Sequence, residues 1–349
     1  MKRGWPRSWV LGLLAGGACV AGVAAKSAPP PTGSQTAPEM GPEMGIVRLD
    51  PGLDALIAPG TRITRVATGF KFTEGPMWRG GRLWFSDVRG DGMRAVSPDG
   101  KVRLLIANSG GVAHPPPHVD VGSNAMVTDK DGSVLMIQQG ARTIVRVDDR
   151  LKIHPFLSSY NGKRFNSPND LVFAPDGSLW FTDPPFGLAG KDKDPDKQLP
   201  FNAVFRYANG KLTPEITDFT LPNGIGFSPD GHTLYVSNYG PKMYVKAFDV
   251  GPGGRLSRGR VLIAYPHPVG DGGPDGLKVD RAGNIWSSGP GGIRIITPAG
   301  KVLGQIKLPE VAANLAFTNG GRTVFITASS SIYRLEVKTP GEVPLYVRE

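Results

Sequence analysis

NDLVFAPDGSLWFTD, residues 169–183, reads as two short strands around one turn. Asn169 opens the segment, Leu171-Val172-Phe173 is an apolar run, Pro175-Asp176-Gly177 carries turn chemistry, and Leu179-Trp180-Phe181 is a second apolar run. Gly177 can take the positive φ that a tight connection between antiparallel strands needs. One hairpin cannot bury its own apolar face, so a search for further copies follows. The unit recurs six times: EGPMWRGGRLWFSD from Glu74, NAMVTDKDGSVLMIQ from Asn124, NDLVFAPDGSLWFTD from Asn169, NGIGFSPDGHTLYVS from Asn223, DGLKVDRAGNIWSS from Asp275 and NLAFTNGGRTVFIT from Asn314. Its turn glycines are Gly81, Gly132, Gly177, Gly231, Gly283 and Gly321, spaced by 51, 45, 54, 52 and 38 residues. The segments that follow, such as AVFRYA (203–208) and YVKAFDV (244–250), alternate as further strands. Four strands per repeat of this length describe a propeller blade. The expected fold is all-β, a six-bladed β-propeller of four-stranded antiparallel blades around a central channel, spanning 46–349.

A propeller must close. RITRVATGF (62–70) precedes the first repeat with no blade of its own, and the last repeat runs out of chain after strands near Asn314, Thr323 and Ile332. The early segment is therefore expected to supply the outer strand of the sixth blade.

Composition agrees with many short strands. Gly 48 and Pro 33 among 349 residues interrupt the chain too often for a helix bundle. With 40% hydrophobic and 20% charged residues, a folded core rather than disorder is expected. The formal charge is +10, with no Lys/Arg run or basic stripe interleaved with aromatics, so no nucleic-acid partner is expected.

Part of that charge belongs to the N-terminus. Lys2, Arg3 and Arg7 precede an uncharged stretch from Trp9 to Ala25, and Val23-Ala24-Ala25 suits a signal peptidase, so 1–25 reads as a signal peptide. A membrane anchor is the competing reading, but the uncharged stretch falls short of the ~20 residues that span a bilayer. A lipoprotein fits less well, because Gly16 stands where the attachment motif before Cys19 wants Leu or Val. Residues 26–45, rich in Pro, read as a disordered linker. Removal of 1–25 would take away the lone Cys19, which suits a periplasmic or secreted protein without stable membrane insertion.

In a propeller the innermost strand of each blade starts beside the channel on one face. The openers Glu74, Asn124, Asn169, Asn223, Asp275 and Asn314 should then face a shared axis. Two carboxylates and four carboxamides make a hard oxygen-donor set, suited to calcium and poorly suited to zinc or copper. Asn and Asp also begin strands because they cap turns. Glu74 is a poor turn residue and fits that explanation badly.

TEGPMW (73–78) with LWFSD (83–87), RFNSPNDLVFAPDGSLWFTDPPFGL (164–188), LPNGIGFSPDG (221–231), GPDGLKVDRAGNIW (273–286) and GPGGIRIITPAGKVLG (289–304) closely resemble the gluconolactonase family, which includes senescence marker protein and luciferin-regenerating enzyme. The likeness covers about 60–335. It implies a six-bladed propeller with one catalytic divalent metal, calcium first, with zinc, magnesium or manganese as alternatives. It further implies that Glu74, Asn223 and Asp275 are metal ligands and Asn169 a ligand or substrate contact. Where many bacterial members have Glu-His-Gly, this chain has Gln138-Gln139-Gly140.

The expected activity is metal-dependent hydrolysis of a lactone, a sugar-acid lactone such as gluconolactone, with Asp275 as ligand and proton acceptor and Asn169, Asn223 and Asn124 arranged around the substrate. A related arylesterase or organophosphate hydrolase, or a non-catalytic propeller that binds a sugar or protein partner, is the alternative. No G-x-S-x-G elbow, phosphate loop or G-x-G-x-x-G occurs in the folded region. The histidines His114, His118, His154, His232 and His267 read as surface residues. The 19-residue connection PPFGLAGKDKDPDKQLPFN (184–202) joins the second and third strands of blade three and should overhang the channel mouth, with Phe186 and Leu188 as a pocket wall and 191–197 as a solvated, dispensable tip.

Overall fold

Within each repeat, alternate residues of the middle strands are apolar and long, which suits sheets covered on both faces by neighbouring sheets. In the computed structural model, which describes residues 44–114, 119–265 and 271–347, these strands form six antiparallel blades. The inner strands, in blade order, are Thr73–Arg79, Ser123–Thr128, Leu171–Phe173, Pro222–Phe227, Leu277–Val279 and Ala312–Phe317. The signal peptide read over 1–25 and nearly all of the linker lie outside the described residues.

The core is divided among the six spaces between blades. Trp180 and Val204 of blade three meet Ile225, Leu234 and Phe248 of blade four. Trp286 and Ile295 of blade five meet Phe317 and Ile326 of blade six. Leu83 and Phe85 of blade one meet Phe325 and Ile332 of blade six, so the apolar packing runs round the whole ring. Each wedge buries large side chains in water-excluded space, and that burial holds adjacent blades in register.

Closure follows the expected route. Thr64–Thr68 pairs antiparallel with Ser331–Glu336 and is the outer strand of the sixth blade. A second N-terminal strand, Gly45–Arg48, adds a fifth strand to blade five beside Val302–Lys307. It begins at the last residue of the stretch read as linker. The 3-10 turn Pro51–Ala55 follows it, capped by Asp50, whose carboxylate accepts from Gly52 N at 2.8 Å.

Five of the expected turn glycines do have positive φ: Gly81, Gly132, Gly177, Gly231 and Gly283. In the sixth repeat the position belongs to Gly320 (φ 61), not Gly321. The NGG turn offers two adjacent glycines, and only the backbone geometry chooses between them.

Candidate active site

The inner strands deliver their openers to one end of the channel. Successive blades are bonded there through backbone at or next to the openers: Ala125 N donates to Asn169 O at 3.3 Å, Gly224 N to Asp275 O at 2.9 Å and Gly276 N to Ala313 O at 2.8 Å. Second strands add to this, since Ser86 Oγ donates to Asn124 O at 2.7 Å and Ser237 Oγ to Asp275 O at 2.6 Å. The axis spacing of the openers is thus a backbone property, and their side chains project from a rigid collar.

A cavity of about 500 Å³ opens above this collar. Glu74, Asn124, Asn169, Asn223 and Asp275 all line it. Asn314, the sixth opener, does not. It is buried behind Glu74, and its Nδ2 donates to Glu74 Oε2 at 3.0 Å. Gly75 N donates to the same Glu74 oxygen.

Glu74 is buried, whereas Asp275 is half-buried and open to the cavity. The Asp275 carboxyl feels both Glu74, which disfavours its ionisation, and the Asn223 amide, which eases it. Burial raises the Glu74 carboxyl from its usual range to about 7, the charge of Asp170 adds to that, and the Gly75 N–H, the Asn314 amide and Lys278 oppose it. Desolvation also pushes Asp275 well above the ordinary carboxylate range, with Glu74 and Asp170 pushing the same way.

Such a pair is costly when ionised and uncompensated. Among the described residues no three His, Cys, Asp or Glu side chains gather as a ligand group. The donor set here is instead two carboxylates with amides. Asn223 Oδ1 is buried with no hydrogen-bond partner, an acceptor left over beside two carboxylates. That orphaned oxygen, with Glu74, Asp275 and Asn169, is chemistry that a hard divalent cation could satisfy.

A pH dependence follows for the cation-free protein. The folded state holds the Glu74 proton to about 7 while the unfolded chain releases it near 4.5. Folded protein therefore binds more protons in that window, and Glu74's contribution to stability falls as pH rises through it, levelling above. Thermal melts with chelator from pH 4.5 to 8 should show Glu74→Gln gaining on the wild type as pH rises. A constant difference between the two would contradict it.

Blade two supplies Asn124, whose Nδ2 donates to Gln139 Oε1 at 3.3 Å. Gln139 itself lines the cavity, while Gln138 turns away to Ser109 O at 2.9 Å. The glutamine found in place of the family's histidine thus braces Asn124.

The 184–202 connection stands at the mouth, and Phe186, Leu188 and Lys191 line the cavity. Gly187 N donates to Ser167 Oγ at 2.9 Å, and Asp183 accepts from Asn166 N and Ser167 N, both at 2.8 Å. The NSPND segment and the loop stem are thereby tied together. Phe186 meets Tyr239 edge to face at 6.4 Å, so the wall is an aromatic pair rather than Phe186 alone. The tip is largely exposed, as expected, but it is tied down. Arg142 Nη1 donates to Asp196 O at 3.0 Å, Asn202 Nδ2 to Asp192 Oδ1 at 2.9 Å, and Lys197 Nζ to Leu199 O at 2.7 Å. Residues 191–197 are stapled to the loop base by these bonds, and Lys191 belongs to the cavity wall.

His114 and His232 are exposed, and His154 pairs with Asp148 at 2.9 Å on the surface. His118 and His267 lie outside the described residues. No helix among the described residues is long and apolar enough to cross a membrane. Asp170, Lys278 and Tyr239 escaped the sequence reading. Asp170 alone had a signal, as the acid next to an opener.

The family described as SMP-30/Gluconolactonase/LRE-like region matches residues 72–330. A gluconolactonase of Zymomonas mobilis is 36% identical over 313 residues, covering 85% of this chain and 87% of that protein. A pentonolactonase of Haloferax volcanii is 30% identical, covering 73% of this chain and 80% of its own. A solved structure from Xanthomonas campestris, described as a gluconolactonase important in glucose secondary metabolic pathways, superimposes with a TM-score of 0.74 at 30% identity, covering 85% of this chain and 95% of that one.

Proposed function

Since the chain belongs to the SMP-30/gluconolactonase/LRE-like family, we propose that it is a hydrolase of sugar-acid lactones, dependent on one divalent cation, with calcium the first choice. The observation that carries this reading is the Glu74–Asp275 carboxyl pair beside the orphaned Asn223 Oδ1 at the floor of the cavity. Glu74, Asn223, Asp275 and Asn169 would hold the cation. A cation bound there would polarise the lactone carbonyl as a Lewis acid.

The remaining chemistry belongs to the protein's own side chains. Water attacks the ring carbonyl, and Asp275 takes its proton. Its two oxygens would let it hold the cation with one and accept the proton with the other. The ring C–O bond then breaks, and the proton passes to the departing ring oxygen, leaving an open hydroxy acid. Asn124 and Asn169 present amides that can orient the sugar hydroxyls, with Gln139 fixing the first of them. The collar of backbone bonds holds these groups before substrate arrives, which lowers the reorganisation needed at the transition state.

Turnover of gluconolactone and a panel of pentono- and hexonolactones, with chelator and after addition of each divalent cation, tests the proposal. Failure to open any lactone under any cation would end it. The N-terminal sequence favours placing this activity in the periplasm or outside the cell.

The aromatic wall is expected to select the ring substituents. Phe186→Ala removes one half of the Phe186–Tyr239 pair and should reorder kcat/KM across lactones by roughly 10-fold, the scale set by one apolar contact in a pocket. A variant with the wild-type ranking would take specificity away from this loop.

A further inference from the structure

Lys278 reaches the inner collar from beneath. It lines a second, mainly apolar cavity of about 280 Å³ that also borders Met77, Phe173 and Tyr346. Its Nζ donates to Leu277 O at 2.9 Å and to Asn314 Oδ1 at 3.1 Å, and lies 3.6 Å from Asp170 Oδ2. Asn314 Oδ1 also accepts from Leu315 N at 2.9 Å. With two donors on its oxygen, the Asn314 amide has one stable orientation, and that orientation turns Nδ2 to Glu74.

Asp170 adds a second observation. It is buried, its Oδ1 accepts from Leu171 N at 2.8 Å, and its Oδ2 has no hydrogen-bond partner. It lies close enough to Glu74 and Asp275 to act on the charge of both. The collar therefore holds three carboxyl groups, and a cation on the cavity side that displaced the protons of Glu74 and Asp275 would meet three negative charges if nothing offset them. The Lys278 ammonium supplies one opposing charge from the far side, leaving a net of two.

We propose that Lys278 is a positioning residue that sets the site's net charge at two negative, and so restrains its attraction for trivalent relative to divalent cations. The inference rests on the cation-dependent reading above and deepens it. Attraction scales with the product of the two charges, so removing one positive charge from the surroundings favours a 3+ ion more than a 2+ ion of similar size. Calcium and terbium are such a pair of hard, oxygen-seeking ions.

The test uses the full chain and the metals alone. Calcium affinity is measured by calorimetry and terbium affinity by competition with calcium. Lys278→Met should raise the ratio of terbium to calcium affinity by tenfold or more. Lys278→Met with Asp170→Asn should return the ratio to that of the wild type, and Lys278→Arg should keep it there. Asp170→Asn alone, which leaves Lys278 in place, should lower the ratio, and this variant carries the test if Lys278→Met does not fold. An unchanged ratio in Lys278→Met, or in Asp170→Asn where only that variant folds, overturns the inference while leaving the lactonase reading intact. Loss of calcium binding by the wild type itself would instead overturn the cation site, and the inference with it.

Discussion

Asp275→Asn is expected to lower kcat by about 100-fold or more at saturating divalent cation, and to raise the melting temperature of the cation-free protein at pH 8. The two effects have one cause. Desolvation, Glu74 and Asp170 all disfavour the ionised Asp275, so the folded protein opposes, as pH rises, an ionisation that the unfolded chain completes freely. An amide of the same shape removes that repulsion and keeps its place beside Asn223, but it cannot take a proton from water. Steady-state kinetics across a cation titration, with melts in chelator, check both halves. Asn223→Ala should be partly rescued by excess cation, because its loss weakens binding without removing the base. Equal rescue of both variants would reduce Asp275 to a ligand.

Gly75→Ala should cost about 3 kcal/mol or more of folding stability, from overpacking together with left-handed backbone strain. Gly75 has φ +55, and a Cβ there would fall 2.2 Å from Asn124 O and 2.8 Å from Ala125 Cα. These are backbone atoms of the next blade, which cannot swing aside as a side chain can. Blades one and two would have to part at the axis, carrying Glu74 away from Asp275, so cation affinity should fall with stability. Gly80 provides the control. It has the same φ of +55, yet a Cβ added there meets nothing within 4 Å, so Gly80→Ala bears the backbone strain alone, about 1 kcal/mol. Denaturant unfolding of the two variants separates clash from strain, and equal losses would refute the clash.

The ring itself was legible because a propeller repeats. Opener, apolar strand, turn glycine and second strand recur six times, and each recurrence is a local pattern of side-chain size and backbone freedom. Closure was legible by remainder, since RITRVATGF had no blade and blade six lacked a strand. Gly45–Arg48 was not. Its four residues carry no alternation that distinguishes an added edge strand from the end of a linker, and only the unpaired edge of Val302–Lys307 gives it a partner.

The site divides in the same way. Chain order alone placed Glu74, Asn124, Asn169, Asn223 and Asp275 on one cavity, because the start of an inner strand has one location in a propeller. Which opener would stand behind another was not encoded by spacing. Asn314 supports Glu74 across 240 residues of chain, a contact that exists only because the sixth blade closes against the first. Lys278 reaching Asn314, Asp170 acting on two carboxyls, Gln139 bracing Asn124 and Lys191 joining the wall are contacts of the same kind. Each depends on distances between blades, and those distances are set by the apolar wedges packed between the sheets, which no local pattern of residues specifies.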